Sequence, residues 1–408
     1  MKIVNVELFH IRPRFNTRLL KHLPNSNDVD SRMVTKITTD NGIVGYGDYD
    51  LPVAAPPLSK FEYLIGRNPF DFLNTTTDIS VGMALYDVMG KYLEVPAYKL
   101  MGQKVREGLT MCAWSRRVPP EGFAEEIQRA AAQGYMWFKM HTGEMYDIFE
   151  QTRAAEEVAP PGFRIHYDFN GAGRTAGTVM PIIAELQSKH PIVGVIEDAL
   201  PASDHAGWRS LRGRSRIPLA MQVPRLGGIQ EALQGCADIY MIGGWDGVGG
   251  MLSQGMAYGR ANIQVITQLV GGTLGKALAL HMAAVLPTAT GHSINLDDQY
   301  DDDITTAQIP VVEGFSRVPE APGLGVEVDD AAIRRLAANT RTPAPRCINV
   351  VVLPGGRTAY GVSSLRQLIG GEEASIRGHR SHLWKDDGSP EFEKIYERVQ
   401  NSGAFIVD

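Results

Sequence analysis

The chain has 408 residues, 44% of them hydrophobic and 21% charged, with a formal net charge of −6. This is the composition of an ordinary globular protein, long enough for two domains or for one barrel with additions. No block of like charge is long enough for a nucleic-acid or membrane-binding surface, and no apolar run reaches the roughly 18 residues of a membrane span, so neither partner is expected.

The N-terminal "KIVNVELFHI" alternates like a strand and has no apolar core of signal-peptide type. "MVTKITTDNGIVGYGDYD" predicts a hairpin turning at Asp40, Asn41 and Gly42. Helical periodicity follows in "VGMALYDVMGKYLEV" and ends before Pro96. Residues 1–108 therefore read as an α+β unit ahead of the main body. Cys112, Cys236 and Cys347 lie far apart without a CxxC pair, which points to a reducing, cytoplasmic compartment.

From residue 109 short apolar runs alternate with amphipathic segments: "LTMCAW", "YMWFKMH", "RIHYDFN", "IVGVIED", "IPLAMQ", "ADIYMI", "IQVITQ" and "TGHSINL". Their ends recur at roughly the length of one βα unit, and eight such units predict a (β/α)8 TIM-like barrel over 109–335. The acidic "LDDQYDDD" (296–303) reads as a solvated loop. Residues 336–408 form a C-terminal segment. It holds a strand candidate in "RCINVVVLPGGRTAYGV" and a charged helix in "SPEFEKIYERVQ", to pack on the N-terminal unit, the barrel or a neighbouring subunit.

Catalytic groups of a parallel barrel sit at the C-terminal strand ends, and residues two apart on a strand share a face. Lys139 and His141 then point together from the second strand, and Asp168 and Asn170 from the third. Glu197 ends the fourth, Gln222 the fifth and Gln268 the seventh, while the eighth reaches Asn295 and Asp297. Two carboxylates on adjacent strands suit Mg2+, and a lysine with a histidine suits proton transfer beside a carboxylate. Each residue alone has a plainer reading, Asp168 as a helix cap and Lys139 or His141 as structural side chains. Their conjunction on successive strands favours a functional mouth.

These motifs resemble the enolase superfamily, in its mandelate racemase and muconate lactonizing branch with the acid-sugar dehydratases. "TTDNGIVGYGD" is similar to that family's capping hairpin and "ALYDVMGKYLEVPAYKLMGQKVRE" to its entry into the barrel. "FKMHTG", "YDFNGA" and "VIEDALP" fall at its lysine and first two metal-ligand strands, and "VPEAPGLGVEVD" at its closing segment. The resemblance implies an α+β capping domain before the barrel, Mg2+ on Asp168 and Glu197, Lys139 as the first lysine of the Lys-x-Lys motif, a small-molecule carboxylate substrate and a homo-oligomer. It also exposes three departures. His141 replaces the second lysine, Gln222 stands where a third carboxylate ligand is expected and is the candidate third Mg2+ ligand through its amide oxygen, and Gln268 stands where the opposite-face histidine is expected. Glutamine is neither acid nor base, so paired-base racemisation gives way to one-base chemistry. The expectation is a lyase that dehydrates an acid-sugar-like hydroxy acid with His141 and Lys139, through a Mg2+-stabilised enediolate. The alternative is a catalytically degenerate member that binds a small carboxylate without turnover.

Three further features stay open. Asn170, Gln268, Asp297, Arg18 and Trp114 are candidate substrate contacts. In the segment 17–32, Arg18, Lys21, His22 and Arg32 either meet an anionic substrate or are solvated surface, and Trp114, Arg116 and Arg117 carry the same ambiguity. "GGTLGK" (271–276) reads as a tight turn into a helix in preference to a phosphate cradle.

Overall fold

The computed structural model describes residues 1–22, 27–50, 56–143, 145–171, 174–362, 365, 368 and 378–408. Strands β1 (Ile3–Ile11), β2 (Arg32–Thr39) and β3 (Val44–Asp50) form an antiparallel sheet in that order. The helix Ile79–Tyr92 lies across it, with Asp78 accepting from Ser80 N at its N-terminus. The glycines of "VGYG" make this approach possible. A β-carbon on Gly47 would sit 1.8 Å from Ser80 O, and one on Gly45 would sit 2.5 Å from Ala84 O. The segment 17–32 begins with a short helix, Thr17–His22, and its residues 23–26 lie outside the described ones.

All eight strand candidates appear in the parallel barrel: β4 (Gly108–Ser115), β5 (Trp137–His141), β6 (Arg164–Asp168), β7 (Val193–Glu197), β8 (Leu219–Met221), β9 (Ile239–Gly243), β10 (Gln264–Gln268) and β11 (Ser293–Ile294). Neighbours pair in sequence order, and β11 closes the ring on β4 through Ser293 with Met111 and Ile294 with Cys112. A short strand, β12 (Phe315–Arg317), adds antiparallel to β4. Strand alternation sorts the side chains. Cys112, Val195, Ala220, Ile239, Met241, Ile266 and Ile294 make one cluster inside the barrel, packed against Trp114 and Trp137. Their sequence neighbours, such as Ala113, Phe138, Met140, Tyr167, Ile196 and Tyr240, join the core between strands and helices.

Beyond the barrel, β13 (Cys347–Val352), β14 (Thr358–Gly361), β15 (Arg380–Lys385) and β16 (Phe405–Val407) form a second antiparallel sheet, ordered β15-β13-β14-β16. Ile348 and Val350 pack on Phe392 of the helix Pro390–Ser402. Val351, Leu353 and Ala359 turn the other way and pack on Met145 and Tyr146. Those two residues belong to the loop that follows β5. His379 Nε2 lies 3.3 Å from the Met145 carbonyl, which also accepts from the Ser381 hydroxyl.

The N-terminal sheet is tied to the barrel by ions, not only by apolar contact. Arg32, a possible substrate contact by sequence, has no exposed surface. Its Nε donates to Asp48 Oδ1 at 2.9 Å and its Nη2 to Asp303 Oδ1 at 3.2 Å. The other oxygens of these carboxylates accept from the backbone of Gly272 at 3.1 Å and Thr273 at 2.7 Å. Both donors stand at the start of the helix Thr273–Val285. Two carboxylates thus occupy the helix end where "GGTLGK" could have cradled a phosphate, and the turn reading holds. The acidic run is correspondingly not a solvated loop. Asp297 pairs with Lys276, Asp298 with Arg129 and Asp303 with Arg32, all at most 6% exposed on the acid side.

Removing one partner of such a buried pair strands the others without compensation. Arg32→Met is expected to lower unfolding stability by about 3–5 kcal/mol, whereas Arg14→Ala, which opens the exposed pair with Asp28, should cost less than about 1 kcal/mol. Urea unfolding of the two variants checks this. Equal, small losses would show that the cap is held by apolar packing alone.

Candidate active site at the mouth of the barrel

Register decides which side chains meet. Lys139 pairs with His166 and His141 with Asp168 across β5 and β6, and Asp168 pairs with Glu197 across β6 and β7. Lys139, at 1% exposure, therefore lies between two carboxylates: its Nζ is 2.7 Å from Glu197 Oε2 and 3.1 Å from Asp168 Oδ2. It also reaches Gln268 Oε1 at 3.4 Å. Burial disfavours the ammonium, but Glu197 and Asp168 outweigh that and hold Lys139 protonated well above its ordinary range. Burial likewise opposes charge on Asp168, yet Lys139, His141 and the Asn170 amide keep it far below the usual carboxylate range. Glu197 goes the other way, pushed up by burial and by Asp168 against the pull of Lys139.

A third acid joins these two. Ligand oxygens of Asp168, Glu197 and Asp198 all lie within 4.8 Å of one another. Strand alternation would send Asp198 away from Glu197, but β7 ends at Glu197 and Asp198 takes a left-handed φ of 45°. Burial and its two acidic neighbours push Asp198 up to about 7. Gln222 stands just past β8, and it is its backbone amide that donates to Asp198 Oδ1 at 3.0 Å. The sequence reading considered the fifth strand for a third ligand and did not single out Asp198, one residue after Glu197.

Beneath this floor, His166 Nε2 is 2.7 Å from Glu197 Oε2 and His166 Nδ1 is 2.8 Å from His292 Nε2. His292 in turn packs on Trp137, with ring centroids 4.4 Å apart. Burial holds both histidines well below their ordinary value, hence neutral. The signal for His166 was available, since it sits two residues before Asp168 and so on the same face. Glu197 Oε1 has no hydrogen-bond partner among the described residues. An unpaired buried carboxylate oxygen beside two further acids is a donor set that fits a hard divalent cation.

His141 rises from the floor to the wall. Its Nε2 is 3.4 Å from Asp168 Oδ2 and its ring meets Trp114 edge-on, centroids 5.6 Å apart. Burial lowers its pKa. Asp168 opposes this, and Lys139, Arg117 and Arg116 reinforce it. Trp114, Arg116, Arg117 and His141 line a cavity of about 360 Å3 at this mouth. Asn170, at φ 56°, uses its backbone N–H on Asp168 Oδ1 at 2.8 Å.

Two expected contacts are elsewhere. Arg18 is bound by Glu126 and donates to Asp298 O at 2.9 Å, and Asp297 is held by Lys276 at 3.0 Å. Both line a separate polar cavity of about 520 Å3, because each finds a buried opposite charge before it reaches the mouth. Asn295 likewise turns to the Leu269 carbonyl at 2.7 Å. Lys21 and His22 pair with Glu125 at the surface. A larger cavity of about 780 Å3, lined by residues of 306–319 and 325–327, shares no residue with the acidic cluster.

Comparison with known proteins agrees with this architecture. The chain is 24% identical over 374 residues to an N-succinyl-L-Arg/Lys racemase of Bacillus cereus, which covers 82% of this chain and 98% of that one. It is 23% identical over 382 residues to a D-galactonate dehydratase of Ralstonia pickettii, covering 82% and 94%. The structure of a dipeptide epimerase from Cytophaga hutchinsonii, complexed with Mg and D-Ala-L-Val, superposes with a TM-score of 0.69 at 17% identity, over 84% of this chain and 99% of that one. Residues 122–332 match the model of the enolase C-terminal domain-like family. With more than half its length in that match and a capped (β/α)8 barrel around it, the chain belongs to the enolase superfamily of mandelate racemase and muconate lactonizing type.

Proposed function

We propose that the protein is a carbon–oxygen lyase that removes the proton α to a carboxylate of a hydroxy acid and expels the β-hydroxyl as water. The observation that carries this reading is the inventory of ionisable groups at the mouth. Among the described residues there, His141 is the group outside the acidic cluster that burial keeps neutral at pH 7, its pKa lowered to about 4, and so able to accept a proton. Lys139 is locked as a cation by two carboxylates, and Gln268 cannot titrate. One base on one face supports elimination over two-base racemisation. The dehydratase relative supports the same reading, and the racemase and epimerase relatives support the shared first step, proton abstraction.

The residues divide the work. The Nε2 of His141 faces Asp168, which favours the tautomer with its proton on Nε2 and leaves Nδ1 as the acceptor. Nδ1 takes the α-proton as negative charge moves onto the substrate carboxylate. The fixed ammonium of Lys139 stabilises that charge. His141 then returns the proton to the departing hydroxyl, so the C–H and C–O bonds break and a C=C bond forms, with no net proton change. Asp168, Glu197 and Asp198 would hold Mg2+, which when bound supplies further electrostatic stabilisation of the same charge. Glu197 also anchors Lys139, and His166 backs Glu197 from below.

Incubating the enzyme with acid sugars and Mg2+ in D2O tests the reading. Dehydration or deuterium uptake at the α-carbon is expected, reduced roughly 10²–10⁴-fold in His141→Ala. Full activity in that variant would remove His141 from the role. Binding of an acid sugar without exchange would indicate a binding protein instead.

Metal affinity supplies a second check. Glu197 and Asp198 are both raised and hold protons on the acid side of neutrality. A cation must displace these protons, so Mg2+ affinity should rise between about pH 6 and pH 8, by up to about tenfold per unit for each proton released. Calorimetry in buffers of different ionisation heat measures the release directly. A flat affinity without proton release would count against a site built from these acids.

A further inference from the structure

The polar cavity of about 520 Å3 that takes Arg18 and Asp297 shares no residue with the mouth or its acidic cluster. Its volume lies within the roughly 300–1,000 Å3 of small-molecule sites. Tyr135 lines it and is only 5% exposed, yet its hydroxyl has no hydrogen-bond partner among the described residues. A tyrosine buried to that degree ordinarily finds one. Burial, and then Asp297 and Asp298, raise the Tyr135 pKa, so the hydroxyl keeps its proton and is available as a donor. The two aspartates have oxygens to spare. Asp297, at 3% exposure, accepts from Lys276 Nζ through Oδ2 at 3.0 Å, and no described donor meets its Oδ1. Asp298 takes Arg129 on Oδ2 at 2.9 Å, and its Oδ1 is buried without a partner. The fixed charges of the lining cancel. Lys276 and Arg18 stand against Asp297 and Asp298, and both cations are already engaged, with Asp297 and Glu126. An added anion would face two carboxylates, and an added cation would face an ammonium and a guanidinium.

We infer that this cavity is a second binding site, for an uncharged polyhydroxylated ring such as a cyclic polyol or a monosaccharide, with Tyr135 and Asp297 as its polar contacts. A hydroxyl both donates and accepts. Neighbouring hydroxyls on one ring can therefore accept from the Tyr135 hydroxyl and donate to Asp297 Oδ1. A hydrogen bond to an ionised carboxylate is about twice as strong as one between neutral groups. An uncharged ligand also leaves the Lys276–Asp297 and Arg18–Glu126 pairs as they are. Ile309, Pro310 and Val311 line the same cavity and offer apolar surface to the carbon ring. The site is independent of the lyase chemistry, because neither His141 nor the acidic cluster belongs to it.

Calorimetry and saturation-transfer NMR on the full chain with myo-inositol, D-glucose and D-galactose test this. At least one of the three should bind with a Kd below about 1 mM. Tyr135→Phe removes a single oxygen that makes no hydrogen bond among the described residues, and should weaken binding about three- to tenfold, the worth of one hydrogen bond. Thr17→Trp places a large ring at an exposed position of the lining and should abolish binding. Trp114→Ala, at the wall of the mouth, should leave it unchanged. Circular dichroism and the unfolding midpoint confirm that each variant folds. Glucosamine, the cationic counterpart of glucose, should bind no more tightly than glucose. No binding of any of the three up to about 20 mM leaves the cavity to water and overturns the inference. Tighter binding of glucosamine overturns it as well, as does binding that is unchanged in either Tyr135→Phe or Thr17→Trp, or lost in Trp114→Ala.

Discussion

A lysine ammonium with almost no exposed surface, set between Glu197 and Asp168, is the interaction on which the mouth depends. Desolvating one such charge costs several kcal/mol, and only well-placed opposite charges recover it. The recovery requires β5, β6 and β7 to keep their register, because a slip of one residue would turn Lys139 out among Phe138 and Met140. The same bond explains the asymmetry of the acids. Asp168 gains from both Lys139 and His141 and stays ionised, and Glu197 then bears the repulsion.

Charge elsewhere in the chain serves assembly. Arg32, Arg129, Arg18 and Lys276 join the N-terminal unit, the barrel helices and the acidic run 297–303 through ion pairs largely hidden from water. A buried ion pair contributes little net stability against an apolar contact of the same size, but it punishes the wrong partner severely. Used at the seam between cap and barrel, such pairs fix one orientation of the two layers. That orientation in turn brings Phe15 under the Arg116 guanidinium.

Much of this was legible in the sequence, because it follows from local rules. Alternation placed Lys139 with His141 and Asp168 on inward faces, and the spacing of apolar runs gave the barrel and its eight strands. What escaped depended on partners distant in sequence or on a single backbone angle. Arg18 and Asp297 were misplaced because their partners, Glu126 and Lys276, lie on helices whose facing sides alternation of strands cannot reveal. Asp198 was missed because a left-handed φ at a non-glycine residue overrides the alternation that holds up to Glu197. Strands β15 and β16 carry mixed, half-exposed sequences, "RSHLWK" and "FIV", and acquire meaning only through pairing with β13 and β14.

That last sheet gives the loop after His141 an unusual dependence. Its Met145 carbonyl is held from a position 234 residues further along the chain, across a span whose closure carries one of the larger entropy costs in the molecule. The floor of the mouth is made by strands that are near neighbours in sequence, whereas this part of its rim waits for a partner 234 residues away. Local contacts form quickly and distant ones slowly, so the barrel can be complete, with Lys139 already between its carboxylates, while the segment beside His141 is still unanchored. Order of assembly is thereby separated within a single site, the charged floor early and the bordering loop late.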